Sequence, residues 1–523
     1  MSPRPTEAKT QANKMVIWFL ILLSIFLATT ILLFFHAKNG KPPLPPGPPF
    51  IPFFGSLLWL RRSVSLQNIE PVLRSLRARY GPVITLRFGS RKSIFVADRS
   101  LAHRALVSQG ATFSDRPAPV PSTQLFSTDS YVISSAPYGP LWRLLRRNLI
   151  AEILHPSRVK SFSASRRWVV GVLSDHLRAQ PDAPAVESFR FAMFCLLVLM
   201  CFGEKLDEEA IKKVEIAQRG FLLYASKLTV LSILPKISRL VFRNRIKTAK
   251  ELRQREKEVL MPLIRARIEF RKRNGDQKND EEEEKRFLHS YVDSLLEIRI
   301  PEEGGRALTE DEMVALCTEF LNAGTDTTTT ALQWIMAHLV KNQEIQRRVA
   351  EEIESVVGER EIEEEDMEKM KFLKAVILEG LRRHPPGHFV LPHAVTEESE
   401  IGGYRVPKEA VVNFMVAEMA LDQEVWKEPM EFKPERFLEG GEGEGVDVTG
   451  SREIKMMPFG AGRRICPGLG LAMLHLQFFV ANLVREFQWL PVEGKEVDLA
   501  EKPEFTVVMK NPLVAHIVPR TKA

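Results

Sequence analysis

The sequence predicts a mainly helical fold with a minor β component, carried behind one N-terminal membrane-spanning helix. Apolar residues recur with the period of an α-helix through most of the chain. Two short segments alternate apolar and polar residues as hairpins do, and one long uncharged run lies near the N-terminus. With 523 residues and 45% apolar composition, the chain is long enough to bury a large core.

The uncharged run, "VIWFLILLSIFLATTILLFF", occupies residues 16–35. A helix of that length rises roughly 30 Å, which is the hydrocarbon thickness of a bilayer. The run is longer than the core of a cleaved signal peptide, and prolines follow it rather than a small-residue cleavage site. We therefore expect a tail at residues 1–14 and a retained anchor at residues 15–35. Basic residues on its two sides favour a cytosolic main body.

The stretch "KPPLPPGPPFIPFFG" follows the anchor, and we expect residues 36–52 to form a stiff hinge because proline fixes φ and removes a donor. Residues 53–523 are then predicted to form one large domain. The apolar segment 221–236 either contacts the bilayer or lies in the core.

Capping and turn signals place several elements of that domain. The longest helical segment begins at a capping box formed by Thr309 and Glu312, and the next helix ends at Gly358. Hairpins are predicted at residues 82–98 and 505–518.

The charge is mildly basic, with 73 Lys and Arg against 66 Asp and Glu and a net charge of +7. Basic residues do not cluster with aromatic ones, which excludes nucleic acid as a partner. The excess suits an anionic membrane surface or an acidic protein partner.

Four cysteines are too few and too scattered for a disulfide framework or a Cys-x-x-Cys metal site. Cys195, Cys201 and Cys317 lie in apolar or helical patterns, so we expect them to be buried. Cys466 instead lies in the polar loop "PFGAGRRICPGLG", just before a predicted helix.

A thiol acts as a ligand or nucleophile only as the thiolate, and positive neighbours, backbone N–H groups and a helix N-terminus lower its pKa. The loop around Cys466 supplies arginines and glycines for this: Arg463, Arg464, Gly460, Gly462 and Gly468. A nucleophile, a redox sensor and a metal ligand all fit. The nearest histidine along the chain, His475, is about 13 Å away along a helix, too far to act as its base. One thiolate is sufficient for a macrocyclic metal centre.

The loop resembles the haem-binding loop of the cytochrome P450 family, Phe-x-x-Gly-x-Arg-x-Cys-x-Gly. The match covers Phe459, Gly462, Arg464, Cys466 and Gly468. Other landmarks follow the family's order as "WRLLR", "AGTDTT", "EGLR" and "FKPERF". In detail the chain resembles plant A-type microsomal members, of family 89, which act in plant secondary metabolism. The resemblance implies the P450 fold, one large helical domain with small β-sheets, and a single-pass endoplasmic reticulum protein.

The resemblance also implies haem b, iron protoporphyrin IX, with Cys466 as the axial ligand of the iron. Phe459, Gly462 and Gly468 would belong to the haem-binding loop. The residues matching the contacts of the haem propionates are Trp142, Arg146, His393 and Arg464. Arginine pairs with carboxylate in a two-pronged fork, and an indole N–H donates one hydrogen bond.

Residues of the oxygen motif lie on the longest predicted helix, where Phe320, Ala323 and Thr327 share a face. Small residues at Ala323 and Gly324 would leave room for a flat cofactor and dioxygen. Thr327 then offers a hydroxyl, and Asp326 relays protons. Taken alone, the pattern fits helix packing through small residues equally well.

Glu379 and Arg382 adjoin on one helical face. The resemblance implies a buried network of these two with Arg436, which holds the loop before Cys466. Its role is structural rather than catalytic.

The sequence therefore predicts a membrane-anchored haem-thiolate monooxygenase. It would insert one oxygen atom of O2 into a lipophilic or amphiphilic substrate, using electrons from a separate NADPH–cytochrome P450 reductase. Arg143 and Arg147 are predicted to face outward on the cysteine side, where they either dock the reductase or are simply solvated.

Two alternatives remain. A haem-thiolate isomerase or dehydratase of hydroperoxides needs no reductase and departs from the oxygen motif and the loop spacing, both complete here. A non-catalytic haem-binding sensor would not need the acid–threonine pair. The segments expected to form the substrate pocket are residues 120–137, residues 221–234, the face around Phe320 and "PGHFVLPH". They do not distinguish a fatty acid, terpenoid, phenolic or tetrapyrrole.

Overall fold

The structure is a computed structural model, which describes residues 17–29, 42–49, 69–88, 91–119, 132–181, 183–225, 227–228, 240–275, 288–408 and 410–520. Helices make up most of this part of the chain, as the periodicity predicts. In the N-terminal half they are α1 (Ile17–Thr29), α2 (Glu70–Tyr80), α3 (Arg99–His103), α4 (Pro140–Leu149), α5 (Pro156–Ser161), α6 (Ser163–Ala179), α7 (Ala185–Phe202) and α8 (Glu208–Tyr224). In the C-terminal half they are α9 (Arg243–Gly275), α10 (Tyr291–Glu297), α11 (Glu310–Lys341), α12 (Gln343–Val357), α13 (Lys371–Arg383), α14 (Val416–Ala420) and α15 (Leu469–Glu486).

The β component consists of short strands at the periphery of the helical body. They are β1 (Val83–Phe88), β2 (Arg91–Val96), β3 (Arg299–Ile300), β4 (Arg306–Ala307), β5 (His393–Ala394), β6 (Ser399–Ile401), β7 (Tyr404–Val406), β8 (Val411–Phe414), β9 (Phe487–Leu490), β10 (Glu501–Pro503), β11 (Val507–Met509) and β12 (His516–Pro519). A four-stranded sheet has the order β1-β2-β8-β5, and the other described sheets are pairs: β3–β4, β6–β7, β10–β11 and β12–β9.

One predicted hairpin is confirmed and the other is wrong. β1 and β2 pair antiparallel, with Val83 opposite Val96. Residues 505–518 do not pair with each other, because β11 pairs with β10 and β12 pairs with β9. Alternation identifies a strand but not its partner. Here β12 pairs with β9, which follows α15 directly, and β11 pairs with β10, which lies between β9 and β11 in the chain.

Helix α11 runs through the core and packs against α7, α13 and α15. It begins as predicted, with a capping box in which Thr309 and Glu312 satisfy each other's backbone N–H groups. The next helix, α12, ends as predicted at Gly358, whose φ of 60° is in the left-handed region. Most side chains of α11 are buried, so the few accessible positions on it are candidates for contact with a ligand.

Among the described residues, the one helix long and apolar enough to span a bilayer is α7, but 89% of it is buried inside the protein. It is therefore a core helix, and two of the cysteines predicted to be buried, Cys195 and Cys201, lie on it. Cys317 is buried on α11, as predicted. Helix α1 is apolar and its large side chains are exposed. The remainder of the anchor predicted at residues 15–35 lies outside the described residues.

The apolar segment 221–236 is described only in part. Phe221 and Leu222 are buried on α8, and Leu228 is buried against α9. Residues 226 and 229–236 lie outside the described part. The core placement is therefore correct for these three residues, whereas Leu223 on the same helix is 39% exposed. Contact with the bilayer stays a prediction.

Candidate active site

The loop that carries Cys466 folds back on itself at the N-terminus of α15. The Cys466 N–H donates to the Phe459 carbonyl at 2.9 Å. Gly468 is the N-cap residue of α15, and its N–H donates to the Cys466 sulfur. The thiol therefore lies at a helix N-terminus, as predicted, and its side chain is accessible.

The explanation proposed from the sequence for the acidity of this thiol holds only in part. Desolvation by the surrounding protein raises the pKa of Cys466, and it outweighs the Gly468 N–H and the Arg146 guanidinium, which do act to lower that pKa. Arg463 is exposed and donates to the Tyr138 hydroxyl instead. In a site of this kind the thiolate needs a bound cation, and coordination to a metal ion deprotonates a thiol outright.

Gly462 is required for packing rather than for access to the sulfur. Its φ is +69°, and an added Cβ would lie 1.9 Å from the carbonyl oxygen of Leu106. The loop therefore presses against the turn Arg104–Ser108 at a position that only glycine tolerates.

On α11 an accessible stripe runs along an otherwise buried helix. Phe320, Ala323, Gly324 and Thr327 are accessible or partly accessible, whereas most of their neighbours along the helix are buried. The Thr327 hydroxyl donates to the Ala323 carbonyl at 2.6 Å. The helix packs against α7, α9, α13 and α15, so the stripe is a gap in contacts that otherwise cover it.

A chain of hydrogen bonds links the stripe-bearing helix α11 to the Cys466 loop, and α11 also packs against α15, which begins at that loop. Glu319 lies next to Phe320 on α11, and its carboxylate accepts the Ile133 N–H at 2.8 Å. The Ile133 carbonyl accepts from Arg464 at 3.1 Å, and Arg464 is two residues from Cys466. These contacts connect the middle of α11 directly to the cysteine loop.

Asp326 is adjacent to Thr327 in sequence but points elsewhere. It is buried, it lies 3.9 Å from the Arg190 guanidinium on α7, and its Oδ2 has no hydrogen-bond partner among the described residues. Burial raises the pKa of Asp326, partly offset by Arg219 and Arg190. A carboxyl group with a raised pKa is suited to holding and releasing a proton.

Three of the residues expected near haem propionates form one cluster. Arg464 lies over the Trp142 ring at 4.5 Å and Arg146 lies over it at 5.5 Å. Arg146 also donates to the Ile465 carbonyl. The Trp142 indole N–H is buried and has no partner among the described residues. A buried donor without a partner is uncommon in a folded protein and points to a ligand.

Arg116 belongs to the same cluster, and sequence reasoning missed it. Its Nε donates to the Ser134 carbonyl at 2.6 Å, and its Nη1 donates to the carbonyls of Leu391 and Pro392, both at 2.9 Å. Burial and the nearby Arg464 lower the pKa of Arg116 to about 9. Its position in sequence gives no spacing signal, because the fold alone brings it beside Arg464.

His393 is buried on β5, close to Arg116 and Arg464. Its Nδ1 lies 2.6 Å from the Phe113 carbonyl, so the neutral ring donates there and leaves Nε2 as an acceptor. Burial and the two arginines lower the pKa of His393 to about 3. The ring would donate to an anion only as the imidazolium, which a nearby anion would favour.

The donor set fits haem. The cluster of Arg116, Arg146, Arg464 and Trp142 offers excess positive charge and an unused N–H, which two propionates would satisfy. Among the described residues no group of three or more His, Cys, Asp or Glu could hold a metal ion. A metal at Cys466 therefore needs its other ligands from a macrocycle.

The Glu379, Arg382 and Arg436 side chains meet in the core. Arg382 donates to both carboxylate oxygens of Glu379, at 2.6 and 2.9 Å, and Arg436 lies 3.3 Å from the same carboxylate. The Lys433 N–H is a further donor to Glu379, at 2.8 Å. The network thus joins α13 to the segment that leads toward the cysteine loop.

The comparisons with known proteins agree with this geometry. Residues 45–518 match the Cytochrome P450 family. Cytochrome P450 89A9 of Arabidopsis thaliana is 48% identical, over 96% of this chain and 99% of that protein. A flavonoid 3'-monooxygenase of the same plant is 31% identical, over 96% of this chain and 97% of that protein. A zebra fish cytochrome P450 solved with progesterone has a TM-score of 0.69 at 23% identity, covering 86% of this chain and 99% of that one.

A fold and a site of this kind define a P450 monooxygenase. The chain belongs to the cytochrome P450 family, and the predicted likeness to plant family 89 is confirmed. The predicted P450 fold is confirmed as well, and the family implies haem and a redox partner.

Proposed function

We propose that the chain is a membrane-anchored haem-thiolate monooxygenase that inserts one atom of O2 into a lipophilic or amphiphilic organic substrate, the other atom leaving as water. One observation carries the proposal. The accessible Cys466 thiol lies at the start of α15, which packs against α11 with its accessible stripe, and a cluster of arginines lies beside the thiol.

Cys466 would hold the haem iron, with its sulfur oriented by the Gly468 N–H and its backbone by the Phe459 carbonyl. Haem ligated in this way supplies dioxygen activation, because the thiolate donates electron density that favours O–O cleavage. Trp142, Arg146, Arg464 and His393 would bind the propionates, and Arg116 would join them. Ala323 would leave room for the cofactor, because it is accessible and has a small side chain. Gly324, which we expected to do the same, instead lets α11 pack closely on α7, since an added Cβ would lie 2.7 Å from Leu197.

Thr327 and Asp326 would deliver protons. The Thr327 hydroxyl lies on the accessible stripe and can hold a proton at Oγ1. Asp326 lies on the opposite side of the backbone, among charged groups of α7 and α8, where its carboxyl takes up protons. A short side-chain rotation of Asp326 would pass them toward Thr327.

The electrons would come from an NADPH–cytochrome P450 reductase. Arg143, Arg147 and Arg463 are exposed. Arg463 belongs to the Cys466 loop, and Arg147 follows Arg143 by four residues on α4. Tyr138 lies between two of them, with Arg143 5.2 Å above its ring and Arg463 bonded to its hydroxyl. This cationic surface suits an acidic partner.

The domain organisation would be a tail at residues 1–14, an anchor at 15–35, a hinge at 36–52 and a catalytic domain at 53–523. The exposed apolar side chains of α1 support the anchor. We place the protein in the endoplasmic reticulum membrane, single-pass, with the catalytic domain cytosolic.

Accessible apolar side chains support the choice of substrate class. Phe320 on α11 and the loop residues Phe389, Val390 and Leu391 are partly or largely accessible, and Val390 lies close to Gly460 of the Cys466 loop. Leu391 is 53% exposed, and its carbonyl is bound by Arg116.

The test is a carbon monoxide difference spectrum of the reduced, membrane-expressed protein and its Cys466→Ser variant. Wild type should give the strongly red-shifted Soret band of thiolate-ligated haem, and the variant should lose it. Cys195→Ser, which changes a buried cysteine of α7, is the matched control and should keep the band. A band that survives in Cys466→Ser would overturn the proposal.

A further inference from the structure

Residues 132–138 form a segment, here called the clamp segment, whose backbone is bound by charged side chains. On one side Glu319 accepts two N–H groups: that of Ile133 at Oε2, 2.8 Å away, and that of Ser134 at Oε1, 2.7 Å away. At the other end the Tyr138 N–H donates to Asp115 at 2.9 Å. Both carboxylates therefore bind backbone donors of this segment.

The backbone acceptors of the clamp segment bind arginines in turn. Arg464 donates to the carbonyl of Ile133 at 3.1 Å and to that of Ala136 at 2.7 Å. Arg116 donates to the carbonyl of Ser134 at 2.6 Å. At the Ile133–Ser134 peptide unit, the carboxylate of Glu319 on the N–H and the guanidinium of Arg464 on the carbonyl polarise one peptide unit in the same sense, which strengthens both bonds.

The position of Glu319 gives these contacts a functional meaning. It lies on α11 eight residues before Thr327, which is about 12 Å along the helix axis. The clamp segment leads directly into α4, which carries Trp142 and Arg146. Glu319 therefore connects the helix of the oxygen motif to the cluster that faces the haem propionates.

We infer that Glu319 is a positioning residue, which fixes the clamp segment and thereby Arg464 and Arg116, so that bound haem is retained. The inference rests on the proposed function. Glu319 touches no reacting atom, and it acts only through the two N–H groups that it accepts. Burial raises the pKa of Glu319, while the bonds from Ser134 and Ile133 favour its charged form.

Replacing Glu319 by glutamine isolates this role. Glutamine has nearly the same volume, but one of its two terminal groups is an NH2 donor. That donor would face the N–H of Ile133 or Ser134, so one backbone group of the clamp segment would lose its partner. Hydrogen bonds to a charged group are worth about 1.5–3 kcal/mol, which corresponds to roughly tenfold to hundredfold in an equilibrium or rate.

The experiment measures haem transfer from the full-length holoprotein, in detergent, to an excess of apomyoglobin. Glu319→Gln should release haem roughly tenfold or more faster than wild type, with an unchanged circular dichroism spectrum. The matched control is Glu256→Gln, another buried carboxylate, which pairs with Arg253 and lies beside Thr318 on α11. It should release haem at the wild-type rate.

Each outcome has one meaning. Equal release rates for wild type and Glu319→Gln would overturn the inference, as would equal acceleration in both glutamine variants. If Glu319→Gln accumulates without haem, Glu319→Asp, which keeps the carboxylate, should recover bound haem, and failure to do so would also overturn it. Wild type without thiolate-ligated haem would instead refute the proposed function.

Discussion

Two buried charged regions of this protein differ in how completely they are satisfied. In the Glu379 network, all the polar side-chain atoms of Glu379, Arg382 and Arg436 have partners within the protein. In the cluster around Trp142, the indole N–H has no partner among the described residues. There burial and mutual repulsion also lower the pKa of Arg116 to about 9, and burial lowers that of Arg464 to about 10.

The difference shows which region is built for folding and which for a ligand. A buried charge without compensation is costly, so a complete network is stable by itself and an incomplete one is not. Asp326 is of the incomplete kind too, because one of its oxygens has no partner among the described residues. We therefore expect substitutions in the first region to affect folding and those in the second to affect haem and turnover.

The largest effect should come from breaking the complete network. Glu379→Gln leaves two buried guanidiniums facing an amide, and losing one partner of a buried ion pair costs about 3–5 kcal/mol. Unfolding in guanidinium chloride, followed by circular dichroism, should show this loss of unfolding free energy. If the loss is too large, folded protein should fail to accumulate.

Glu344→Gln is the control for that substitution. Glu344 and Arg347 are also three residues apart on a helix, but 66% and 56% of their side chains are exposed. This variant should unfold close to the wild-type midpoint. Equal destabilisation by the two substitutions would show that burial does not determine how much such an ion pair contributes to stability.

Asp326→Asn should remove proton delivery without loss of folding. Product formation should fall by about a hundredfold, the typical contribution of a positioned acid, while hydrogen peroxide release rises. Because burial raises the pKa of Asp326 in the folded state, the stability that its protonated form contributes is lost as pH rises through that folded pKa. Asparagine mimics the protonated form, so the variant's stability relative to wild type should be greater at neutral than at acidic pH. A constant difference would contradict this.

The sequence was sufficient to predict elements whose signals are local. The capping box of Thr309, the helix that follows Cys466 and the hairpin at residues 82–98 depend on neighbours in the chain. The pairing of β12 with β9 does not, and neither do the contacts of Glu319 or those of Arg116 with Leu391 and Pro392. For both side chains these partners lie more than a hundred residues away and are backbone groups, which have no sequence signature.

The Glu-x-x-Arg pattern shows the same limit. It occurs at Glu344 and Arg347 as well as at Glu379 and Arg382, and only tertiary packing makes the second pair fully buried. Spacing alone could not show which of the two pairs is the buried one. The position of Glu379 and Arg382 in the order of the family's motifs identified it. The net shift in the pKa of Cys466 could not be predicted for a related reason. The sequence shows the neighbouring charges but not the desolvation, which outweighs them.

A smaller effect is expected at the unused donor. Trp142→Phe keeps an aromatic ring under Arg464 but removes the N–H together with part of the indole. Loss of the charge-assisted hydrogen bond should accelerate haem release by roughly tenfold. The control is Trp334→Phe, because the N–H that it removes donates a hydrogen bond to the Val507 carbonyl at 2.8 Å. That variant should lose about 1–3 kcal/mol of stability and release haem at the wild-type rate. The reverse assignment of these two effects would contradict our comparison of the two regions.

The smallest effect should lie at the surface, where neither region is touched. Reversing Arg143 and Arg147 to Glu should slow reduction by the reductase roughly threefold to fivefold at low salt, because exposed charges chiefly set association rates. The difference should shrink as salt rises and screens them. Lys212→Glu with Lys213→Glu makes the same change in net charge on α8, where both side chains are exposed. If that pair slows reduction equally, the effect is one of total charge, and the surface beside Cys466 has no special part in docking.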